Sequence, residues 1–323
     1  MSALDFMDAS RRTEQADTDL SVGQVKLRYG YICQEGFYPD KEHVNQDTCR
    51  VVERYEGQDD QLWVGVFDGH GEDSEVSAAS RGPAVPPSFL PLHSPPTSPT
   101  PPTPAPPTLA GRADAGFNRP APPQHISGKV ADCLHENLSE LRKSRNYKVH
   151  GGADAQVPEP SGSAYFKAFL KTHDDLIAEL GKVAYMAGTT AVTGHFVGDM
   201  AHIANVGDSR AVLGKTAGDR WRVVEITKDQ TGFRADERER AKNEAHMPIE
   251  FLTLGMSYGE EEISEDFGDE DSANAADPPR IFIVGRKFPA SAFTRSLGDA
   301  LGKMAGVCAY PEIHSIKLTQ EDT

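Results

Sequence analysis

The chain has few cysteines and no long apolar run, and each shortage excludes a class of protein. Its four cysteines, Cys33, Cys49, Cys133 and Cys308, form no CxxC pair. That spacing argues against a thiolate zinc site and favours free thiols in a reducing compartment. No run reaches the roughly 18 apolar residues of a membrane span, and the N-terminus lacks an apolar signal core. We therefore expect a soluble, monomeric protein of the cytoplasm or nucleus, with no membrane partner.

Basic residues are also scarce. The sequence holds 33 Lys and Arg against 49 Asp and Glu, so its formal net charge is −16. Nucleic acid is not expected as a partner, because a polyanion binds to a basic face. Nine acidic residues and no basic one lie in the segment 258–277. This composition predicts a solvated, disordered acidic loop.

Proline is concentrated in one segment. Residues 82–123 contain 15 of the 23 prolines, and proline lacks the backbone donor that a helix or sheet interior requires. We interpret this segment as a disordered or polyproline II insertion. It is interpreted as a spacer, with a docking site for a proline-reading domain and a gene-model error as the alternatives. Residues 1–24 are polar and predict a disordered tail, which leaves 25–323 as one interrupted domain.

The order of predicted elements indicates an α+β fold. The segments 25–34 and 62–67 are rich in β-branched and aromatic residues, which is typical of strands. Two stretches, 125–143 and 161–180, place apolar residues three and four apart, as on one helix face. Gly-Asp turns between 188 and 215 predict an antiparallel meander. Strands and helices do not alternate, so antiparallel sheets covered by helices are favoured over a parallel sheet.

The stretch LWVGVFDGHGED, residues 62–73, raises the question of function. Asp68 and His70 lie between glycines directly after an apolar run. A carboxylate in that position is costly unless it is solvated or paired with a cation, and the glycines permit close approach of a ligand. A tight polar turn is the alternative interpretation.

Further acidic corners strengthen the functional interpretation. The motifs NQD at 45–47, GDSR at 207–210 and RSLGD at 295–299 each adjoin a predicted strand. If these corners converge at one edge of the fold, they offer carboxylates and carbonyls. Oxygen ligands of that kind suit Mg²⁺ or Mn²⁺ and not Zn²⁺.

Six motifs carry a specific resemblance. NQD, VFDGHG, GTTAV, ANVGDSRAVL, TRSLGD and PEI occur in the order and approximate spacing of the metal-dependent protein phosphatases, the PP2C family. The sequence looks closest to a plant and protist branch of that family. The resemblance covers roughly residues 25–320 and implies an α-β-β-α sandwich of two antiparallel sheets. It further implies hydrolysis of phosphoserine and phosphothreonine on proteins by a metal-activated water at a dinuclear Mg²⁺/Mn²⁺ centre.

The resemblance also implies roles for individual residues. Asp68 matches the carboxylate shared by two metal ions and Gly69 a carbonyl ligand, while His70 matches the general acid that protonates the leaving oxygen. Asp47 and Gln46 match the acidic pair near the metal waters. The aspartate of a third metal site corresponds to Asp208. Asp299 is interpreted as structural.

Two departures from the family pattern affect the expected activity. The arginine that grips phosphate upstream of the acidic pair is missing, and Lys41 is the candidate substitute, without bidentate geometry. The family continues past PEI into two further metal-binding aspartates, which this chain of 323 residues does not reach. We therefore expect a C-terminally truncated sequence that binds metal weakly and turns over slowly.

Three functions remain open at this point. The leading hypothesis is a metal-dependent protein serine/threonine phosphatase acting on phosphoproteins. The second is a catalytically impaired phosphatase fold that regulates or binds phosphoproteins. The third is a hydrolase of small phosphate esters. Activity on phosphoserine peptides and on nucleotides distinguishes them.

Overall fold

The structure is a computed structural model of the whole chain. It describes seven ranges: 12–22, 25–34, 45–71, 126–143, 164–218, 220–268 and 277–319. The Pro-rich segment 82–123 and the candidate phosphate ligand Lys41 lie outside these ranges. The predictions made for them stay predictions.

Fifteen strands are present in the described ranges. They are β1 Arg12–Val22, β2 Val25–Gln34, β3 Thr48–Glu53, β4 Gln61–Phe67, β5 Gly69–His70, β6 Gly188–Thr189, β7 Ala191–Val197, β8 Met200–Val206, β9 Val212–Ala217, β10 Arg220–Glu225, β11 Ile249–Leu252, β12 Arg280–Ile283, β13 Pro289–Ser291, β14 Leu297–Gly298 and β15 Glu312–Lys317.

Five α-helices accompany these strands in the same ranges. They are α1 Ile126–Lys143, α2 Ala164–Leu180, α3 Ala235–Glu244, α4 Leu254–Tyr258 and α5 Ala300–Met304. The two long helices coincide with the segments whose apolar spacing predicts them. No helix of the described ranges is long and apolar enough to span a membrane.

The largest sheet has five strands in the order β15-β8-β7-β4-β3, and each neighbouring pair is antiparallel. Helix α1 packs against β3 and β4, and α2 packs against α1. The core between them contains Trp63, Phe67, Leu134 and Phe169, each at most 2% exposed. Burial of these side chains is the main force that holds the helices to the sheet.

A second, smaller sheet has the order β11-β12-β13. Its strands share a separate apolar cluster with α3, in which Phe251, Ile281 and Val307 are buried. Beside this cluster the Glu237 carboxylate is enclosed by two arginines. Arg295 donates to it from Nη2 at 2.5 Å and Arg240 from Nη2 at 2.8 Å. Burial alone would raise the pKa of Glu237, but these arginines lower it to about 2.

A third sheet is very short and joins distant parts of the sequence. In the order β14-β6-β5, Gly69 pairs with Thr189 and His70 with Gly188, while Leu297 pairs with Thr189 on the other side. Each strand has only two residues. This ladder brings the DGHG, GTT and SLGD motifs to one place.

The structure confirms the predicted α+β class, with antiparallel sheets and flanking helices. The prediction of a disordered tail is wrong for residues 12–22, which pair with 25–34 as a hairpin. The residues of this strand show no apolar alternation, and main-chain pairing does not require one. In the acidic segment, Phe267 is 4% exposed and Asp277 accepts hydrogen bonds from the amides of Leu254 and Gly255. The disorder predicted for 258–277 is therefore wrong at these two positions.

The Glu237 cluster generates a prediction about stability. We expect Glu237→Gln to destabilise the fold by roughly 3 kcal/mol at pH 7, because it removes the most buried carboxylate partner of two largely buried guanidinium groups. Since the folded-state pKa is depressed, the carboxylate stabilises the fold above about pH 4.5, and this stabilisation disappears as the pH falls towards 2. Urea denaturation at pH 7 and pH 3 measures the difference. The exposed Glu239→Gln on the same helix is the control, and an equal effect of both variants would contradict the prediction.

Candidate active site

The backbone of Asp68 is fixed by the two threonines of the GTT motif. The Asp68 amide donates to Thr190 Oγ1 at 3.1 Å, and its carbonyl accepts from the Thr190 amide at 3.0 Å and from Thr189 Oγ1 at 2.9 Å. Three hydrogen bonds therefore hold this residue where β4 ends. The carboxylate makes none of these bonds, so it stays available to a ligand.

The loop that precedes β3 closes against the same corner. A Cβ at Gly69 would collide with the Gln46 carbonyl oxygen, so only glycine permits this approach. The Gln46 side chain donates from Nε2 to the Gly71 carbonyl at 3.0 Å, and the main-chain carbonyl of Gln46 accepts from Ser127 Oγ at 2.5 Å. These contacts bring NQD beside DGHG.

Three carboxylates interact electrostatically at this corner. Asp68 is exposed, yet partial desolvation by surrounding protein and the negative charge of Asp47 raise its pKa. Burial and the charge of Asp68 likewise raise the pKa of Asp208. Like charges held close together cost free energy unless a proton or a cation neutralises them. The corner therefore carries a concentration of negative charge that a cation would neutralise.

The GDSR turn that carries Asp208 is held from two sides. Gln230 accepts from the Gly207 amide at 2.7 Å, and Ser209 Oγ lies 2.6 Å from Thr190 Oγ1. Arg210 donates two hydrogen bonds of 2.8 Å to Asp229. The arginine of the motif is thus paired with Asp229, and it fixes the turn.

His70 is paired with a residue whose role the sequence did not reveal. Its Nε2 lies 2.9 Å from both carboxylate oxygens of Asp299. Asp299 is 9% exposed and has a positive φ of 50°, and a Cβ at Gly188 would collide with its carboxylate. Asp299 was interpreted as structural from the sequence. In the sequence, the Gly-Asp pair at 298–299 is the feature that Asp299 shares with the other acidic corners.

The charges of neighbouring groups keep Asp299 ionised. Burial raises its pKa, but the hydrogen bond and charge of His70, together with Lys303, lower it below its usual range. Burial lowers the pKa of Lys303 to about 8, against the opposing charge of Asp299. Lys303 Nζ donates to the Ser296 carbonyl at 2.8 Å. The imidazole of His70 is therefore oriented by an anionic partner, as in a general acid–base pair.

The predicted site residues have different outcomes. The structure brings Asp47, Gln46, Asp68, Gly69 and Asp208 to one corner, with His70 at its side. No group of three His, Cys, Asp or Glu side chains close enough to hold a metal ion occurs in the described part of the chain. Sequence analysis missed Asp299, Thr189 and Thr190 as positioning residues. For the threonines, the GTT motif itself was the available signal.

The threonine contacts generate a prediction. We expect Thr190→Val to destabilise the fold by about 1 to 3 kcal/mol, because it leaves the Asp68 amide without its acceptor. Thr193→Val is a matched control on β7, since Thr193 Oγ1 makes only a long bond of 3.4 Å to the Ala204 carbonyl. Urea denaturation of both variants checks this. A larger loss at Thr193 would contradict the assignment.

The chain is similar in sequence to known proteins. The family model described as "Protein phosphatase 2C" matches residues 124–251. The chain is 29% identical over 293 residues to "Probable protein phosphatase 2C 35" of Arabidopsis thaliana, covering 90% of this chain and 65% of that protein. It is 27% identical over 280 residues to "Probable protein phosphatase 2C 73" of Oryza sativa subsp. japonica, covering 86% of this chain and 54% of that protein.

The chain thus spans between about half and two thirds of the length of these relatives. Among solved structures, the serine-threonine phosphatase 2C from Toxoplasma gondii matches with a TM-score of 0.48 and 14% identity, over 87% of this chain and 72% of that chain. The family-model match over residues 124–251 and the curated relatives along most of the chain show that this sequence is similar to the protein phosphatase 2C family.

Proposed function

We propose that this chain carries the catalytic corner of a metal-dependent protein phosphatase that hydrolyses phosphoserine and phosphothreonine on proteins. The observation that carries this proposal is the juxtaposition of the carboxylates of Asp47, Asp68 and Asp208 with the His70–Asp299 pair. The printed names of the curated relatives support the same activity. Phosphorylated proteins are accordingly the proposed substrates.

The chemical type of the donors suits Mg²⁺ or Mn²⁺, although in the described ranges the three carboxylates do not lie close enough together to hold one ion. The carboxylates of Asp47, Asp68 and Asp208 and the carbonyl oxygen of Gly69 are hard oxygen ligands of the kind these ions prefer. Burial and neighbouring negative charge raise the pKa of Asp68 and Asp208, and a cation would offset both effects. A divalent cation bound there would draw charge from the phosphoryl oxygens and lower the pKa of a water molecule.

The side chain of His70 would serve the leaving group. Because Asp299 holds Nε2, Nδ1 is the ring nitrogen that would donate a proton to the serine or threonine oxygen. An alkoxide is a strong base, so protonation lowers the barrier to its departure. Asp299 fixes the plane of the imidazole through its contact with Nε2. All four cysteines are free thiols, and burial raises the pKa of each, which disfavours the nucleophilic thiolate.

The role of Asp68 is tested through metal binding and turnover together. We expect Asp68→Asn to weaken Mn²⁺ binding about tenfold or more, and to lower Mn²⁺-dependent phosphate release from a phosphoserine peptide about 100-fold. Isothermal titration calorimetry measures the first effect and a phosphate assay the second. Asp199→Asn, on the exposed turn between β7 and β8, is the control.

The outcomes distinguish the candidate functions. Equal Mn²⁺ affinity for Asp68→Asn and the parent chain would contradict the metal assignment. Binding of Mn²⁺ and phosphopeptide without phosphate release would favour the regulatory alternative. Release from nucleotides in preference to phosphopeptides would favour a hydrolase of small phosphate esters.

The role of His70 is tested by changing the leaving group. We expect His70→Ala to lower turnover of a phosphoserine peptide about 100-fold, but to have a much smaller effect on p-nitrophenyl phosphate, whose phenolate leaves without a proton. Asp299→Asn should lower peptide turnover about tenfold with the same dependence on the leaving group. His314→Ala, on the exposed face of β15, is the control. Equal losses on both substrates would contradict the general-acid role.

A further inference from the structure

A cavity of about 230 Å³ opens beside His70. Its walls are mostly apolar and include Phe288, Phe293 and Leu301, and the half-exposed Met186 lies at its edge. His70 and Asp299 form part of the lining, and the Phe293 ring lies 4.8 Å from the imidazole, centroid to centroid. The cavity therefore begins where the proposed leaving group would depart.

One positive charge lines this cavity without an anionic partner in the described residues. Arg280 on β12 donates from Nη1 to the Ala290 carbonyl at 3.4 Å, which is a long bond to a neutral acceptor. Its buried Nε has no hydrogen-bond partner within the described ranges. The other charged groups of the lining, His70 and Asp299, are bound to each other. An unpaired guanidinium in an apolar wall is costly, so the wall is suited to an anionic ligand.

The position of the cavity relates it to a substrate peptide. If His70 protonates the serine oxygen, the peptide backbone of that serine lies against His70. Neighbouring Cα atoms are only 3.8 Å apart. A side chain one or two residues from the phosphoserine would therefore reach the cavity.

We propose that this cavity, with Arg280 at its wall, is a specificity subsite for an acidic side chain of the substrate next to the phosphorylated residue. The inference rests on the proposed phosphatase function and adds a substrate preference to it. The aliphatic stem of a glutamate fits the apolar walls formed by Phe288 and Phe293. Its carboxylate can accept two parallel hydrogen bonds from the guanidinium.

Binding of inert peptides tests the subsite apart from catalysis. In fluorescent peptides of one sequence, phosphoserine is replaced by its phosphonate, in which CH₂ replaces the ester oxygen and prevents hydrolysis. A neighbouring position carries Glu, Leu, Ala or Lys, and both sides of the phosphonate are tested. Anisotropy titrations use the chain 1–323 with Mn²⁺. We expect the Glu peptide to bind about tenfold or more tightly than the Ala peptide.

Variants of Arg280 test whether this residue causes the preference for the Glu peptide. In Arg280→Met the ratio of Glu to Ala affinities should fall to about one, and Arg280→Glu should reverse the preference towards a Lys peptide. Arg222→Met, which removes an exposed arginine of β10, should keep the parent ratio. Thermal melts check that each variant is folded. The comparison of Glu, Leu and Ala peptides on the parent chain tests the subsite even if a variant does not fold.

The experiment distinguishes failure of the subsite from failure of the proposed phosphatase function. An unchanged ratio in Arg280→Met, or a preference of the parent chain for Leu over Glu, would overturn the subsite and leave the phosphatase function intact. If the phosphonate peptides bind no better than the same peptides with serine, the proposed function fails and the subsite fails with it.

Discussion

The antiparallel ladder of β5, β6 and β14 is the constraint on which the candidate site depends. Its strands have two residues each, yet they join segments that lie up to 229 positions apart in sequence. Main-chain pairing of Gly69 with Thr189, and of Thr189 with Leu297, fixes the relative positions of the motifs. Side-chain hydroxyls of the same threonine pair then fix the Asp68 backbone. An error of one residue in this pairing would separate His70 from Asp299, because alternate residues face opposite sides.

The fold contains two charge clusters with opposite electrostatics. Glu237 is surrounded by Arg240 and Arg295, so its charge is balanced and its pKa falls. At the candidate site the opposite holds, because burial and the charge of a neighbouring carboxylate raise the pKa of Asp68 and of Asp208. A balanced cluster stabilises the fold, whereas an unbalanced one stores free energy that a bound cation can release. The lowered pKa of Glu237 is therefore typical of a structural ion cluster, whereas the raised pKa values of Asp68 and Asp208 are typical of a candidate active site.

The two sheets contribute different parts of the proposed chemistry. The end of the large sheet supplies Asp68 and the GDSR turn, while the small sheet β11-β12-β13 supplies Arg280 and one wall of the neighbouring cavity. His70 and Asp299 lie between them. Proposed catalysis and proposed substrate selection are therefore held by separate elements. Natural variation in the small sheet could change the substrate preference without disturbing the carboxylates.

The sequence by itself determined the α+β class, the two long helices and the identity of the acidic corners, because apolar periodicity and Gly-Asp motifs are local signals. Lacking apolar alternation, β1 gave no such signal, and its backbone pairing was visible only in the structure. Tertiary structure alone decided that Asp299 contacts His70, that the GTT threonines hold Asp68 and that Arg280 faces the cavity. Each of these depends on strand pairing between segments far apart in sequence, and residue spacing carries no information about which distant strands will pair.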